Sequence, residues 1–305
     1  HSVVHSIIYD DTKGKAIGVR VIDANTKETI EYFSKVIFLN AGTVNTTAIL
    51  LNSKSNTFQE GLGNESDVLG RYLMDHDFRG HARGRIEGYE DSYYNGHRPT
   101  GLYMPRFRNY KNDKQQGFLR GYAYQLGAGR GAGNWRPGDP KIGTDFKDKL
   151  TEFGSWGMGM GPMGEQLPYA ENRITLNKEQ TDDWGVPLIE VDAEFKDNEN
   201  VMLEDALNSA AEMMEAFGCK DVSTSIDPKW NVGLGIHEMG TARMGHSPKD
   251  SVLNKFNQVH NAKNVFVTDG ACMTSSACQN PSLTYMAITA RASNYAIDEL
   301  KKGNL

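Results

Sequence analysis

The sequence predicts an α/β fold with an inserted, mostly antiparallel sheet, and three observations lead to this prediction. "VIFLNAG" at 36–42 is an apolar run that ends in glycine, and the helix-compatible stretch "TVNTTAILLNS" follows it directly. "NVFVTDGA" at 264–271 has the same form, a buried strand that ends in Asp-Gly. Residues 80–190 instead hold most of the tyrosines and tryptophans, many glycines and long polar stretches. Continuous apolar runs indicate strands buried on both faces, whereas short strands between polar loops indicate an antiparallel sheet.

These changes in composition predict the domain organisation. Residues 1–79 and 228–305 are predicted to form one α/β domain around the strands at 36–41 and 264–268. Residues 80–227 are predicted to form a separate domain that contains its own sheet. A chain of 305 residues is long enough to bury a core in each of two domains.

Two long helices follow from the spacing of apolar residues. Residues 198–217 carry apolar side chains at helical intervals and stop before Gly218. The last helix follows Asn280 and Pro281. Since Asn favours the N-cap and Pro the first helical position, Asn280 is predicted to cap this helix. Its apolar side is predicted to consist of Leu283, Met286, Ala287, Ala290, Ile297 and Leu300.

The charge balance and the cysteines exclude several classes of function. The formal net charge of −6 argues against nucleic acid and anionic membrane surfaces as partners, and no apolar run reaches the length of an intrinsic membrane span. No cysteine pair and no His-Glu-x-x-His pattern is present, so we predict no metal site.

The chain opens in a strand pattern without Met. We therefore expect it to be part of a longer polypeptide, so the absence of a signal peptide leaves the compartment open between the bacterial cytoplasm and the periplasm.

Two glycine-rich stretches imitate a nucleotide-binding loop. "GMGPMG" at 159–164 has the glycine spacing of the dinucleotide fingerprint, but it contains a proline and no helical pattern follows. "GAGRGA" at 127–132 fails in the same way. The fingerprint requires a preceding strand and a following helix, whose N-terminus meets the pyrophosphate. We therefore interpret both as structural.

The segment "GIHEMGTARMGHSP" at 235–248 is the strongest candidate for chemistry. His237 is either a catalytic group or a structural histidine, and composition alone does not decide between them. The role of Asn280 is equally undecided, because a helix cap would explain this residue without any catalytic function. The serines have no nucleophile elbow around them, which argues against a serine hydrolase.

Three segments, in chain order, carry a family resemblance. "VIFLNAGTVNTTAILLNS", "HEMGTARMG" and "NVFVTDGACMTSSACQNPSLTYMAITARASNYAIDEL" resemble the later half of the glucose–methanol–choline (GMC) family of flavoprotein oxidoreductases. "GLGNESDVLGRYLMDH" at 61–76 and "PYAENRITLNKEQTDDWGVPLIEV" at 168–191 are similar to further segments of that family. The resemblance implies a partial FAD-binding, Rossmann-like domain and an inserted substrate-binding domain at 80–227. The amino-terminal part of the family fold, with its dinucleotide fingerprint, is absent from this sequence.

The resemblance also implies the site residues. His237, in the HxxGT motif, would lie over the flavin of FAD, and Asn280 would be the second residue of the catalytic pair. Asn at this position resembles choline oxidase, cholesterol oxidase and the pyranose oxidases. Contacts with FAD are implied for Val4, at the adenine, and for Ala41, Gly42, Asp269, Gly270, Asn280, Pro281 and Thr284.

The implied chemistry explains these residue types. Oxidation of an alcohol to a carbonyl releases a hydroxyl proton and sends a hydride to flavin N5. A neutral imidazole at His237 suits the role of base. The side-chain NH2 of Asn280 can donate to the developing alkoxide, while its oxygen caps the last helix.

The substrate is less well determined. The polar loops of the centre and the identity of Asn280 favour a carbohydrate, and sugar dehydrogenases and pyranose oxidases are the most similar in appearance. Choline, a sterol or another simple alcohol is the alternative, and so is an inactive truncated fragment that cannot retain FAD. The external electron acceptor is oxygen, a quinone or a cytochrome. Aromatic residues that either stack on a sugar or fill the core are Tyr93, Tyr94, Tyr103, Tyr122, Tyr124, Trp135 and Trp156.

Overall fold

The computed structural model describes residues 1–89, 91–92, 101–114, 117–130 and 138–305. In it the chain forms two compact units. The first contains His1–His76, Gln166–Glu194 and Val232–Leu305, and the second contains Asp77–Glu165 and Phe195–Asn231. Helices and mostly antiparallel sheets are present together, as the predicted fold class requires.

The strands of the described residues are numbered along the chain. They are β1 (Ser2–Asp10), β2 (Lys15–Asp23), β3 (Thr29–Phe33), β4 (Ile37–Leu39), β5 (His76–Asp77), β6 (Gly80–Ile86), β7 (Leu102–Met104), β8 (Tyr122–Arg130), β9 (Trp156–Glu165), β10 (Arg173–Thr181), β11 (Pro187–Asp192), β12 (Lys220–Ile226), β13 (Gln258–Val259) and β14 (Ala262–Val267). The helices are α1 (Thr43–Asn52), α2 (Thr144–Thr151), α3 (Asp197–Phe217) and α4 (Ser282–Lys301), with a 3-10 turn at Gly270–Cys272.

Two sheets and a hairpin build the first unit. Strands β1, β2 and β3 form an antiparallel sheet with β2 in the middle. Strand β14 is parallel to β4, with Phe266 opposite Phe38, and antiparallel to β13. The strands at 36–41 and 264–268 therefore lie in one unit. Because β4 and β14 are parallel, their carboxyl ends lie side by side, which is where open α/β sheets place ligands.

The hairpin of β10 and β11 also belongs to the first unit, whereas the predicted domain at 80–227 included it. Backbone hydrogen bonds explain the difference. The N–H of Ile174 donates to the carbonyl of Gly70 at 2.8 Å, and the N–H of Leu73 donates to the carbonyl of Asn172 at 2.9 Å. The composition of 80–190 did not reveal this, because the bonding partners are far apart in the sequence.

Strand β4 is less buried than predicted. Ile37 and Leu39 are buried, but the ring of Phe38 between them is 36% exposed and stacks on Phe266, with ring centroids 5.0 Å apart. The prediction of a strand buried on both faces is therefore wrong for one face of β4. An apolar run alone does not reveal which face of a strand has a neighbour.

The second unit contains the predicted antiparallel sheet, with strands in the order β12-β6-β9-β8-β7. Helix α3 packs on it, and Gly218 ends that helix in the left-handed conformation with φ 98°, as the sequence predicted. The large side chains of this core that are fully buried are Tyr122, Tyr124, Met160, Met202 and Met214.

Helix α4 exists as predicted, but its cap and its buried face differ. It begins at Ser282 with Pro281 at the cap position, so the prediction that Asn280 is the N-cap is wrong. Leu283 is 77% exposed and Met286 69%, whereas the buried residues of α4 are Ala292 and Ala296, which pack on Phe266. The period of an apolar pattern identifies a helix, but the neighbours decide which face is covered. Among the helices of the described residues, none has the length and hydropathy that a membrane crossing requires.

Candidate active site

One buried carboxylate organises the irregular segment that carries His237. Asp75 is fully buried and accepts hydrogen bonds from the N–H groups of Gly235 at 2.7 Å, Gly233 at 3.0 Å and His237 at 3.3 Å. It also accepts from the N–H of His76 at 2.7 Å. Gly235 leaves no room for a side chain, because an added Cβ would lie 2.4 Å from Asp75 Oδ1. Asp75 thus ties the backbone at His76 to the backbone at His237.

Three side chains continue from this anchor as a line of hydrogen bonds. His76 Nε2 lies 3.2 Å from the carbonyl oxygen of Ser276, and His76 Nδ1 lies 3.1 Å from His237 Nδ1. His237 Nε2 in turn lies 3.4 Å from Asn280 Nδ2. His76 is fully buried, His237 is half-buried and Asn280 is exposed, so the line runs from the interior of the unit to its surface.

Burial favours the neutral forms of the two histidines in this line. Desolvation lowers the pKa of His76 to about 4, and the nearby His237 lowers it further, against the opposing effect of the Ser276 carbonyl. Desolvation also lowers the pKa of His237, with Glu238 acting in the opposite direction. Burial raises the pKa of Asp75 to about 6, although the N–H groups that it accepts from favour the carboxylate. Both histidines are therefore neutral at pH 7.

Gly240 and Thr241 hold the end of the HxxGT motif against the rest of the first unit. Gly240 has φ 100°, and an added Cβ would lie 2.2 Å from the carbonyl oxygen of Tyr72, so only glycine fits. Its N–H donates to the carbonyl of Gly270 at 3.0 Å. The Oγ1 atoms of Thr241 and Thr47 lie 2.5 Å apart in a buried environment. The glycine and threonine of the motif are thus required by packing, whereas His237 is left to face outward.

The predicted cofactor residues at the two strand ends come together. Asp269 accepts hydrogen bonds from the N–H of Gly42 at 3.1 Å, the hydroxyl of Thr46 at 2.5 Å and the N–H of Ala271 at 3.0 Å. Burial raises its pKa, against these hydrogen bonds. An added Cβ at Gly42 would meet no atom within 4 Å, so the backbone of Gly42, which follows Ala41 directly, is open to a ligand.

Gly270, unlike Gly42, has no space for a side chain. An added Cβ there would lie 2.3 Å from the carbonyl oxygen of Glu238 and 2.4 Å from Thr43 Oγ1. The hydroxyl of Thr43 donates to that same carbonyl at 2.5 Å. Gly270 therefore joins the end of β14 to the backbone next to His237.

The remaining predicted residues are more dispersed. Pro281 is buried at the start of α4, and Thr284 is exposed in its first turn. Val4 lies in β1 opposite Val21 and is 38% exposed. The contact of Val4 with adenine stays a prediction.

Sequence reasoning missed two residues of the site. Asp75 and His76 stand at the end of the segment 61–76 that carries part of the resemblance, but no role was assigned to either. The available signal was the Asp-His pair itself, two ionisable residues directly after the apolar "YLM". Nothing in the sequence indicated that His237 would be their partner.

The aromatic residues considered for sugar binding have different surroundings. Tyr122 and Tyr124 are fully buried core residues, while Tyr103 is 43% exposed. Trp156 donates its indole N–H to the carbonyl of Tyr89 at 2.8 Å. Tyr93, Tyr94 and Trp135 lie outside the described residues.

The glycine-rich stretch 159–164 lies inside strand β9 of the antiparallel sheet, so it does not open a helix and cannot act as a dinucleotide loop. In 127–132, residues 127–130 belong to β8 and the last two lie outside the described residues. Across the part of the chain that the structure describes, no group of three or more His, Cys, Asp or Glu side chains is arranged to hold a metal ion.

This site offers a proton acceptor, His237 Nε2, next to a hydrogen-bond donor, the Asn280 amide. His237 Nε2 is the outermost ring nitrogen of the line, and its neighbour Asn280 supplies amide N–H groups without titrating. A neutral imidazole beside a fixed N–H donor can take a proton from a hydroxyl and stabilise the charge left on oxygen.

Comparison with known proteins identifies similar sequences. Residues 168–289 match the family model described as GMC oxidoreductase. The chain is 31% identical to 2-methyl-1,2-propanediol dehydrogenase of Mycolicibacterium austroafricanum, over 92% of the chain and 51% of that protein. It is 25% identical to the fructose dehydrogenase large subunit of Gluconobacter japonicus, over 99% of the chain and 54% of that protein. The chain thus spans about half the length of the curated relatives it matches.

Solved structures share the fold. A crystal structure of formate oxidase superposes with a TM-score of 0.65 at 17% identity, covering 99% of the chain and 60% of that protein. Pyridoxine 4-oxidase from Mesorbium loti superposes with a TM-score of 0.55 at 14% identity, covering 97% of the chain and 57% of that protein. At these identities the likeness concerns the fold.

Proposed function

The chain belongs to the GMC oxidoreductase family, and from this premise we propose that it carries the catalytic pair of an FAD-dependent oxidoreductase, which oxidises a CH–OH group to a carbonyl. The observation that supports this most directly is the position of His237 Nε2, 3.4 Å from the amide nitrogen of Asn280 at the exposed end of a hydrogen-bonded line. A base and a non-titrating donor side by side are what removal of a hydroxyl proton requires.

The residues present fit FAD. Gly42 offers open backbone at the carboxyl end of β4, next to the Asp269 carboxyl group. The first turn of α4 contains no acidic side chain, so its N–H groups present positive potential to an anionic group. The residues proposed to hold FAD are Val4, Ala41, Gly42, Asp269, Gly270, Asn280, Pro281 and Thr284. When bound, FAD supplies the acceptor for the hydride that leaves the substrate carbon.

The protein side of the reaction follows from the geometry. Neutral His237 accepts the hydroxyl proton at Nε2 and becomes an imidazolium ion, which His76 stabilises by accepting from its Nδ1–H. Asn280 donates an amide N–H to the substrate oxygen as negative charge develops there. The proton would thus stay on His237, and the substrate carbon, having lost its hydride, would become a carbonyl carbon.

The proposed substrate is a small alcohol or sugar with neighbouring hydroxyl groups. The relatives named for 2-methyl-1,2-propanediol and for fructose share this feature, although one is a simple diol and the other a carbohydrate. The carbohydrate favoured by the sequence remains a proposal within this class, and choline is the competing substrate. The external electron acceptor also remains a proposal, among oxygen, a quinone and a cytochrome.

Anaerobic stopped-flow measurement of flavin bleaching tests the proposal. We expect 2-methyl-1,2-propanediol or fructose to bleach the flavin of the enzyme, and choline not to. His237→Ala should slow bleaching by roughly 10²–10⁴-fold, the usual range for loss of a general base. His246→Ala, which removes an exposed histidine of the same segment, is the matched control and should be neutral. Bleaching of His237→Ala at the unmodified rate would exclude His237 as the base.

A further inference from the structure

At each end of the hydrogen-bonded line through His76 and His237, the partner can only accept or only donate a hydrogen bond. At the buried end, His76 Nε2 meets the carbonyl oxygen of Ser276 at 3.2 Å, and a carbonyl oxygen only accepts. At the exposed end, His237 Nε2 meets the NH2 nitrogen of Asn280 at 3.4 Å, and this nitrogen only donates. Each end therefore restricts where the protons of the two rings reside.

From the buried end, His76 Nε2 must carry the proton that the Ser276 carbonyl accepts. In a neutral ring, His76 Nδ1 then has a free lone pair and accepts. The 3.1 Å contact with His237 Nδ1 requires a proton on one side, so His237 must carry it at Nδ1. Starting from Asn280 gives the same result, because His237 Nε2 has to accept and its proton therefore lies at Nδ1.

From this agreement we propose that His76 is a positioning residue that holds His237 in the Nδ1–H tautomer and keeps its Nε2 lone pair toward Asn280. The inference rests on the proposed function for its consequence, because the Nε2 lone pair is the one that would accept the substrate proton. A histidine with its proton at Nε2 could not act as a base from that atom.

The surroundings of His76 suit this role. The ring is fully buried and meets the ring of His237 edge to face, with centroids 4.8 Å apart and an interplanar angle of 66°. Asp75 bonds to the N–H groups of both histidines, at 2.7 Å and 3.3 Å, so the two rings cannot drift apart independently. Gln166 Oε1 holds Asp75 in turn by accepting its N–H at 2.8 Å.

His76 also has to remain neutral, because a protonated ring could not accept from His237. Desolvation lowers the pKa of His76 to about 4, which keeps the ring uncharged at the pH at which His237 works. When His237 gains a proton, His76 can therefore accept from the imidazolium without competing for its proton.

Two variants distinguish the effect of the hydrogen-bond acceptor at His76 Nδ1 from the effect of the volume that the His76 ring fills. His76→Phe fills a similar volume but offers no acceptor to His237. His76→Asn places an amide oxygen near the former Nδ1 position and can accept. Both lose the hydrogen bond to Ser276, so they are matched for that loss, and thermal unfolding and flavin content show whether each variant remains folded and loaded.

The first measurement concerns the tautomer and does not depend on turnover. In the flavin-loaded enzyme with 15N-labelled histidine, the nitrogen shifts of His237 should report a protonated Nδ1 and an unprotonated Nε2. His76→Phe should shift His237 toward the Nε2–H form, and His76→Asn should retain Nδ1–H. Protonation of His237 at Nε2 in the unmodified enzyme would overturn the inference, even if neither variant folds.

The second measurement is the rate of flavin bleaching. His76→Phe should lower it roughly 10- to 100-fold, by analogy with the loss of hydrogen-bond partners that orient metal-ligating histidines, with substrate affinity little changed. His76→Asn should restore most of the rate. If His237→Ala slows bleaching as expected while His76→Phe leaves both the rate and the tautomer unchanged, the proposed function stands and the role of His76 fails. If His237→Ala bleaches normally, the proposed function fails, and the tautomer measurement still decides the role of His76.

Discussion

The Nδ1 atoms of His76 and His237 lie 3.1 Å apart, although the two residues are far apart in the sequence. One ring is fully buried and the other reaches toward the surface beside Asn280. The contact joins the end of one segment of the first unit, His1–His76, to another, Val232–Leu305. It gives the proposed base a defined proton arrangement before any substrate is present.

The pH dependence of substrate oxidation should follow from the pKa of His237. Burial lowers this pKa below the ordinary value of 6.5. A base works only when it is unprotonated, so lowering its pKa extends activity to more acidic pH. We expect kcat/KM to fall on the acid side with a midpoint below pH 6.5, as measured with saturating electron acceptor. A midpoint above about pH 7 would contradict this assignment.

Replacement of Asn280 by Asp tests the donor. A carboxylate next to His237 Nε2 would stabilise the imidazolium ion and raise the pKa of His237, so the acid-side midpoint should move to higher pH. A carboxylate also cannot donate to the alkoxide, and the loss of one such donor costs roughly 2.7–4 kcal/mol of barrier. Flavin bleaching at high pH should therefore slow by roughly 10²–10³-fold.

Gln279→Glu is the matched control for Asn280→Asp, since it adds the same charge at the neighbouring exposed residue. It should leave both the midpoint and the rate close to those of the unmodified enzyme. Because Asn280 is exposed and does not cap α4, the free energy of unfolding of Asn280→Asp should change by no more than about 0.5 kcal/mol. An unchanged bleaching rate in a folded Asn280→Asp variant would remove Asn280 from the mechanism.

Replacement of Gly270 by Ala tests the junction between β14 and the HxxGT motif. The new Cβ would lie 2.3 Å from the carbonyl oxygen of Glu238, so the backbone next to His237 has to move. Overpacking of this kind should lower the free energy of unfolding by about 1–3 kcal/mol and slow flavin bleaching. Urea unfolding and stopped-flow bleaching measure the two effects.

Gly127→Ala is the control for Gly270→Ala, because an added Cβ at Gly127 in β8 meets no atom within 4 Å. It should be nearly neutral in both measurements. If Gly270→Ala is equally neutral, the close packing between Gly270 and Glu238 does not constrain the site.

Much of the fold could be predicted from local patterns. Strands β4 and β14, helices α3 and α4 and the central antiparallel sheet follow from apolar spacing and composition. The sequence patterns gave wrong predictions where burial or packing depended on residues that are distant in the sequence. Leu283 and Met286 have helical spacing yet are exposed, and the hairpin of β10 and β11 packs with Gly70 and Leu73 instead of with the central sheet.

The sequence by itself determined that His237 and Asn280 are the residues to consider, because their types suit proton transfer and their motifs carry the family resemblance. Only the tertiary structure decided how they are arranged. A hydrogen bond depends on a separation of a few ångströms between atoms whose residues are far apart in the chain, and no local pattern encodes that separation. The fold alone therefore brought Asp75 and His76 beneath His237, and with them the direction in which its lone pair points.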